Sequence, residues 1–469
     1  MTTALDRPTV SQPRAPFDEL RASLTGSIHT PGDPEYATLS SPWNLAVPML
    51  PAAVVAARTP EDVAATVRFA RKHGCTVGVQ ATGHGAEASL AGHILVVTAG
   101  LDEVTVRPEG WARVGAGVKW LRVIEAAAPH GLAPLNGSTS DVGVVGYTTG
   151  GGVGPLARTF GLAADRVRAF DVVTGDGVIR RVTPTEHPDL FFALRGGKGT
   201  AGIVTAVDFD LVHLPTFYGG AVYFDGEDAA AVIGHWRAWS SALPEQGTTS
   251  FALFQLPELP EVPPPLAGRM SLAVRFAWTG EAEEGRKLLD EIRAAAPVIL
   301  DDAAVKPYTE IDSVHADPVD PIPVVDPAIL LDDFTEATAA RLLETAGPGS
   351  GSPQLLVEVR QLGGAYSRES RYPNAFSHRS ARFSLLAVGM ADTGAMEHAE
   401  RMFAALAEWD SGGVWPNFGP AHDERTARRA YDEETLQRLV EVVRKYDPDG
   451  VLQIGTFTQL VQQSVDDAA

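Results

Sequence analysis

Asn136 to Gly154 reads NGSTSDVGVVGYTTGGGVG, and no other stretch of the chain looks so unlike an ordinary helix or strand. Its seven glycines would cost too much backbone entropy inside a regular element. Their natural use is to bring backbone N–H groups close to a ligand. A dinucleotide-binding turn is one reading, since Gly152-x-Gly154-x-x-Ala157 fits the loose fingerprint. That fingerprint needs a preceding strand, a following helix and a further parallel strand with an acidic end. Here Pro155 interrupts and a hairpin pattern follows, so this reading fails. A phosphate-cradling P-loop fails too, because no Gly-Lys-Ser/Thr follows. What remains is a broad groove lined by backbone from several loops, suited to a large anionic cofactor.

Upstream, Ala53 to Val55 reads as a strand, and Thr59-Pro60-Glu61-Asp62 supplies an N-cap, a proline at the first helical position and acidic residues in the first turn. The helix ends at His73-Gly74. Val77 to Val79 is a second strand running into Gly83-His84-Gly85, which makes a short β-α-β unit. Ile94 to Val97 and Val104 to Val106 read as a strand pair, followed by a strand at Ala112 to Gly115 and a helix from Trp120 to Ala128. Downstream, Asp171 to Val173 and Val178 to Val182 flank a glycine-bearing turn. A short helix at Asp189 to Leu194 precedes Arg195-Gly196-Gly197-Lys198-Gly199 and a strand from Ile203 to Leu211. Beyond Leu214-Pro215 the glycine loops cease. Strands at 221–224, 250–255, 272–277, 355–360 and 383–390 alternate with helices near 282–294 and 337–346. Pro257 to Pro265 is a loop. The tail, Glu433 to Lys445, reads as one amphipathic helix closed by Asp447-Pro448-Asp449-Gly450.

The 469 residues exceed what one core comfortably fills, since cores stop growing near ~250–300 residues. The net charge of −21 repels phosphate backbones, so nucleic acid is not expected as a partner unless a local patch runs against the trend. A single cysteine, Cys75, rules out an internal disulfide framework and a cysteine-rich zinc site. Met1 to Arg14 has no apolar leader segment, and no run approaches the ~18 apolar residues of a membrane span. The expectation is a soluble cytoplasmic protein without membrane contact, a monomer or homodimer.

Val79-Gln80-Ala81-Thr82-Gly83-His84-Gly85 resembles the pyrophosphate loop of flavin-linked oxidases of the berberine-bridge-enzyme and vanillyl-alcohol-oxidase type. Gly137 to Gly154 is similar to that family's second flavin loop. Asp165-Arg166-Val167, Asp189 to Gly197, Gly202-Ile203-Val204-Thr205 and Lys445-Tyr446-Asp447-Pro448 follow in the family's order, so the resemblance runs from about Trp43 to Gly455. It implies FAD cradled by Gln80, Ala81, Thr82, Gly83, His84, Gly85 and Ala86; by Thr139, Val142, Gly143, Gly146, Tyr147, Gly150, Gly151, Gly152 and Gly154; and by Gly202, Ile203 and Val204. It further implies a covalent link from His84 to the flavin 8α-methyl. Many relatives add a cysteine link at the position of Thr139, so a single link is expected here. Taken alone, His84 would more often be an ordinary loop histidine than a ligand.

Relatives often use a tyrosine base where this chain has Phe418, in Trp415-Pro416-Asn417-Phe418. Glu358 is the replacement candidate. Strand alternation puts it on one face with Leu356, and burial beside the flavin would raise its pKa. Against this, Glu358 could simply pair with Arg360 or another arginine. The Glu-x-Arg-x-Leu-Gly-Gly pattern is similar to that of polyketide-tailoring members related to the enterocin Favorskii-type flavoenzyme, which favours the base. Trp415 and Phe418 are candidate substrate contacts, with core packing as the equal alternative. His378 is expected to be structural. His315 with Asp317 and Asp320 reads as a solvated turn rather than a metal site. Arg195 and Lys198 are either phosphate partners or surface charges.

The expected fold is therefore α+β: a two-subdomain FAD-binding domain of the vanillyl-alcohol-oxidase type, with an inserted substrate domain built on an antiparallel sheet flanked by helices. The expected divisions are an arm at 1–34, the FAD-binding part at 35–213, the substrate part at 214–413 and a returning segment at 414–469. The expected function is FAD-dependent oxidation or oxygenation of an aromatic or polyketide-like small molecule, with molecular oxygen as acceptor and no metal. Two alternatives stand beside it: an oxidase of sugars or other hydroxylated compounds, and a flavin-fold protein that sequesters a drug-like compound.

Overall fold

A computed structural model describes residues 17–86, 90–260, 262–418 and 424–467. The first layer is a four-stranded sheet in the order Ser27–His29, Ala53–Ala56, Ile94–Val97, Val77–Gln80. The last three strands run parallel, as the β-α-β reading requires, with Pro60–His73 as the crossover helix. Thr59 and Asp62 form the capping box at that helix start. Residues 17–34 are not a detached arm. Ser27–His29 pairs antiparallel with Ala53–Ala56, and Leu20 and Ile28 enter the core beside Val63 and Val67. The remainder of the expected arm, 1–16, lies outside the described residues.

Ile94–Val97 and Val104–Arg107 are not a pair. The first is buried on both faces between two parallel neighbours, as such strands must be. The second alternates half-buried and exposed residues, and forms the edge of a five-stranded antiparallel sheet in the order 104–107, 111–115, 203–210, 167–173, 179–182. The glycine-rich stretch also contains one short helix, Val144–Thr149. Only Gly146 lies in its interior; Gly143 and Gly150 cap it, so most of the expected entropic cost falls outside the helix.

From Thr216 to Met390 the chain builds a nine-stranded antiparallel sheet, with Thr216–Asp225, Met270–Trp278, Gly247–Gln255, Gln354–Gln361 and Phe383–Met390 side by side. Side-chain alternation divides it into two faces. Val222, Phe251, Val274, Val357, Val359 and Leu385 face helices Ala229–Ala242, Ala282–Arg293, Glu336–Ala346 and Ala395–Ala405 in one hydrophobic core. Tyr223, Phe254, Arg275, Leu356, Glu358 and Arg360 face a cavity instead. The first and last of these helices were not anticipated from the sequence.

The tail holds two helices rather than one, Glu433–Tyr446 and Thr456–Asp467. Their Leu439, Phe457 and Leu460 pack with Leu190 and Phe192 in the core of the five-stranded sheet. Leu452 bridges in parallel to Val77, so the returning chain extends the first sheet. Among the described residues, no helix is long and apolar enough to cross a membrane.

Asp62 holds this N-terminal layer together. Its buried carboxylate accepts hydrogen bonds from the N–H groups of Thr25 (2.6 Å), Gly26 (3.1 Å), Arg58 (2.8 Å) and Thr59 (3.1 Å). Asp62→Ala leaves several donors without a partner and is expected to cost about 3 kcal/mol. Urea unfolding measures the loss, and limited proteolysis should find new cleavage between residues 17 and 34.

Candidate functional site

A cavity of about 580 Å³ lies between the glycine loops and the uncovered face of the nine-stranded sheet. Its first wall is the loop after strand Val77–Gln80. Gln80, Ala81, Thr82, Gly83, His84, Gly85 and Ala86 all line the cavity. Gly83 adopts φ +78°, and a Cβ there would fall 2.6 Å from Pro42, so the turn demands glycine. The N–H groups of Thr82, Gly83, His84 and Gly85 donate to nothing among the described residues. His84 stacks on Trp43 with ring centroids 4.3 Å apart, and its Nε2 lies 3.4 Å from Asp141 Oδ2. Lys119 holds the other Asp141 oxygen at 2.5 Å. Burial lowers the His84 pKa, and Asp141 only partly offsets it, so the ring is neutral at pH 7.

The second wall is supplied by Ser138, Thr139, Val142, Gly143, Gly146 and Tyr147, with Gly202, Ile203 and Val204 beside them. Gly150, Gly151, Gly152 and Gly154, expected here, do not line the cavity. They permit close packing behind it. A Cβ at each would overlap, in turn, the Asn417 side chain, the Phe376 ring, Ala163 and Tyr147, and the Asn136 carbonyl. Composition announced the loop correctly but could not separate glycines that face a ligand from glycines that admit neighbouring chain.

On the sheet side, Glu358 corrects an expectation. Its buried carboxylate accepts from Ser250 Oγ (2.6 Å), Arg275 Nη1 (2.8 Å) and Arg360 Nη2 (3.0 Å). Burial alone would lift its pKa, but Arg360 and Arg275, with His315, hold it well below the carboxylate range. A carboxylate so stabilised is a poor base. Arg360 Nη2 also donates to Ser138 Oγ (3.0 Å) and lies 3.1 Å from His315 Nε2, which ties the sheet to the second loop. His315 is not in a solvated turn: it is buried in this cluster and kept neutral first by burial and then by Arg275. Asp320 is exposed. Among the described residues no three-ligand group could hold a metal.

Phe418 lines the cavity, 5.7 Å from the Arg360 guanidinium carbon. Trp415 does not; it is buried behind Phe418 and donates from Nε1 to Tyr366 Oη at 3.0 Å. His378 is structural, with Nε2 2.6 Å from the Arg429 carbonyl oxygen. Arg195 is neither a phosphate partner nor a surface charge. It is fully buried and donates to the Tyr372 and Pro373 carbonyls at 2.9 and 2.6 Å. Lys198 lines the cavity and donates to Asn417 Oδ1 at 2.8 Å.

Arg275 and Asp326 escaped the sequence reading. Arg275 had a signal, as the lone charge in the buried strand MSLAVRFAW. Asp326 had none. It follows strand Val324–Val325, lines the cavity, and keeps Oδ1 buried without a hydrogen-bond partner among the described residues. Burial raises its pKa to about 6, against the pull of Lys198.

These groups suit FAD. Four consecutive free N–H groups match a diphosphate. Gln80 Oε1, Tyr147 Oη and Asp326 Oδ1 are buried polar atoms on the wall without partners among the described residues. A Cβ at Gly146 would meet no atom within 4 Å, so that side of the loop stands open.

Comparison with known proteins agrees. Residues 51–183 match the FAD binding domain family. The FAD-linked oxidoreductase sorD of Penicillium rubens is 26% identical over 92% of this chain and 96% of its own. The FAD-dependent monooxygenase FUP4 of Fusarium proliferatum is 39% identical over 174 residues, 36% of this chain and 34% of FUP4, so that match spans about a third of the relative. Among solved structures, Physcomitrella patens BBE-like 1 aligns with a TM-score of 0.80 at 19% identity, over 95% of this chain and 99% of that one. Glucooligosaccharide oxidase of Acremonium strictum, described with a 6-S-cysteinyl, 8α-N1-histidyl FAD, aligns with a TM-score of 0.80 at 19% identity over 94% and 98%. The chain thus shares the fold of vanillyl-alcohol-oxidase-type FAD-binding proteins and matches an FAD binding domain over residues 51–183, and its named relatives are FAD-linked oxidoreductases and monooxygenases.

Removing one cation from the Glu358 cluster tests its electrostatics. Arg275→Met should destabilise the fold by about 3–5 kcal/mol at pH 8. In the variant, burial gains ground over the single remaining arginine and the Glu358 pKa rises. The loss should therefore shrink as pH falls and Glu358 takes up a proton. Urea unfolding of both proteins at pH 8 and pH 5.5 measures the difference.

Proposed function

We propose that the chain binds FAD through the loops at 80–86 and 137–147 and the 202–204 strand start, linked covalently through His84 alone, and oxidises an aromatic or polyketide-like small molecule in the manner of polyketide-tailoring flavoenzymes. Residues 35–213 with 414–469 form the cofactor part, and 214–413 the substrate part, of a cytoplasmic enzyme. A single link is supported by Thr139, which stands where a second, cysteine link would be expected. When bound, FAD accepts a hydride equivalent from a substrate carbon and passes the electrons to molecular oxygen.

The observation that carries the substrate class is the wall opposite His84. Tyr223, Phe254, Leu256, Leu356, Leu386 and Val388 make it apolar and aromatic, and its polar groups gather around Arg275, Glu358 and Arg360. Such a wall suits a hydrophobic ring body with one oxygen-bearing end. A sugar, with hydroxyls on every side, would leave most of them without partners.

Oxidation of a C–H centre also needs a proton acceptor. Phe418 cannot serve, and Glu358 is occupied by two arginines. Asp326 combines what the task needs: a carboxyl on the cavity wall, an oxygen without a partner among the described residues, and a pKa moved towards neutrality. Its neighbour Lys198, already donating to Asn417, fixes this corner of the cavity.

Anaerobic mixing of the holoprotein with a panel of aromatic polyketides should bleach the flavin absorbance, and a matched panel of sugars should not. Bleaching by sugars alone would replace this reading with the sugar-oxidase one. With a reactive compound, kcat/KM should rise with pH through about 6 as Asp326 loses its proton. Asp326→Asn should lower kcat by 10²-fold or more and remove that acid limb. Stopped-flow flavin reduction from pH 5 to pH 8 measures both.

A further inference from the structure

Among the described residues, the His84 side chain makes one ring contact and one polar contact. Its ring lies on Trp43, with planes 19° apart, and its Nε2 faces the Asp141 carboxylate. Nδ1 has no hydrogen-bond partner among the described residues. A neutral imidazole carries one N–H and one lone pair. An ionised carboxylate can only accept, so the nitrogen that faces Asp141 keeps the proton and the lone pair goes to Nδ1. Lys119, bound to the other Asp141 oxygen, fixes the carboxylate in place. Asp317 also acts on the ring through space, but no hydrogen bond links it to His84.

Resting on the covalent FAD assignment above, we infer that Asp141 is the positioning residue for His84 modification: it holds the proton on Nε2, presents Nδ1 to the flavin 8α-carbon, and accepts the Nε2 proton as the bond forms. The overall step balances. One C–N bond forms, the 8α-methyl and the imidazole each give up a hydrogen, and the two electrons released pass through the flavin to dioxygen, which leaves as hydrogen peroxide. The Trp43 stack and the Lys119–Asp141 pair set the ring's plane and its rotation. The reaction then needs no movement of His84 once the cofactor is seated.

The test uses the full chain produced under riboflavin limitation, incubated with FAD, and followed as acid-precipitable flavin fluorescence over time. FAD affinity before attachment, measured by fluorescence quenching, serves as the control for folding. Asp141→Ala should bind FAD within about twofold of wild type, yet incorporate it at least tenfold more slowly. Asp141→Asn preserves the shape of the side chain but can also donate, so it should slow incorporation as well. His84→Ala should bind FAD and incorporate none. Incorporation at the wild-type rate in both Asp141 variants would overturn the inference while leaving the His84 link standing. Wild-type flavin that stays acid-extractable would overturn the link and this inference together, and no FAD binding at all would overturn the cofactor reading itself.

Discussion

One carboxylate held between two guanidiniums fixes the geometry on which the cavity depends. Glu358, Arg275 and Arg360 are each at most 3% exposed, in the middle of a sheet whose other face is built mainly of apolar side chains. Ions so deeply buried are costly unless each is paired and hydrogen-bonded. Here Ser250, His315 and Ser138 complete the set. Because Ser138 belongs to the glycine-rich loop, the same cluster that makes the ions tolerable also sets the distance between sheet and loop. Ser140 ties the loop to the 308–314 helical turn as well, donating from N–H and Oγ to Asp312 at 3.0 and 2.5 Å.

The loop wall of the cavity follows from a different economy. Its glycines fall into two groups with different work. Those at 83, 143 and 146 keep backbone close to the cavity, whereas those at 150–154 allow Asn417, Phe376, Ala163 and the 136 backbone to press against the loop from behind. The loop is thus thin on the ligand side and tightly backed on the other. Rigid backing matters for a cofactor that must present one edge of its ring to a substrate.

Much of this was legible in the residues. Thr59 to Asp62 announced a helix start, the alternation around Glu358 assigned the correct residues to each sheet face, and the glycine loops marked one wall of the cavity. Four features were not legible, for physical reasons. Strand partners depend on burial of whole faces, so Ile94–Val97 and Val104–Arg107, close in sequence, went to different sheets. The charge state of Glu358 depends on Arg275, a residue 83 positions away that only the sheet register brings alongside. Asp326 owes its character to burial between segments, which no local pattern records. Trp415 and Phe418, adjacent in one motif, ended on opposite sides of the cavity lining because a turn separates them.

The account stands on His84 carrying the cofactor in this cavity. Mass spectrometry of the proteolytic peptide spanning His84, taken from holoprotein purified from a flavin-replete host, tests that most directly. The account predicts one flavin adduct, localised by fragmentation to His84 and absent from every other peptide. An unmodified His84 peptide, with the flavin recovered free or attached elsewhere, would contradict it.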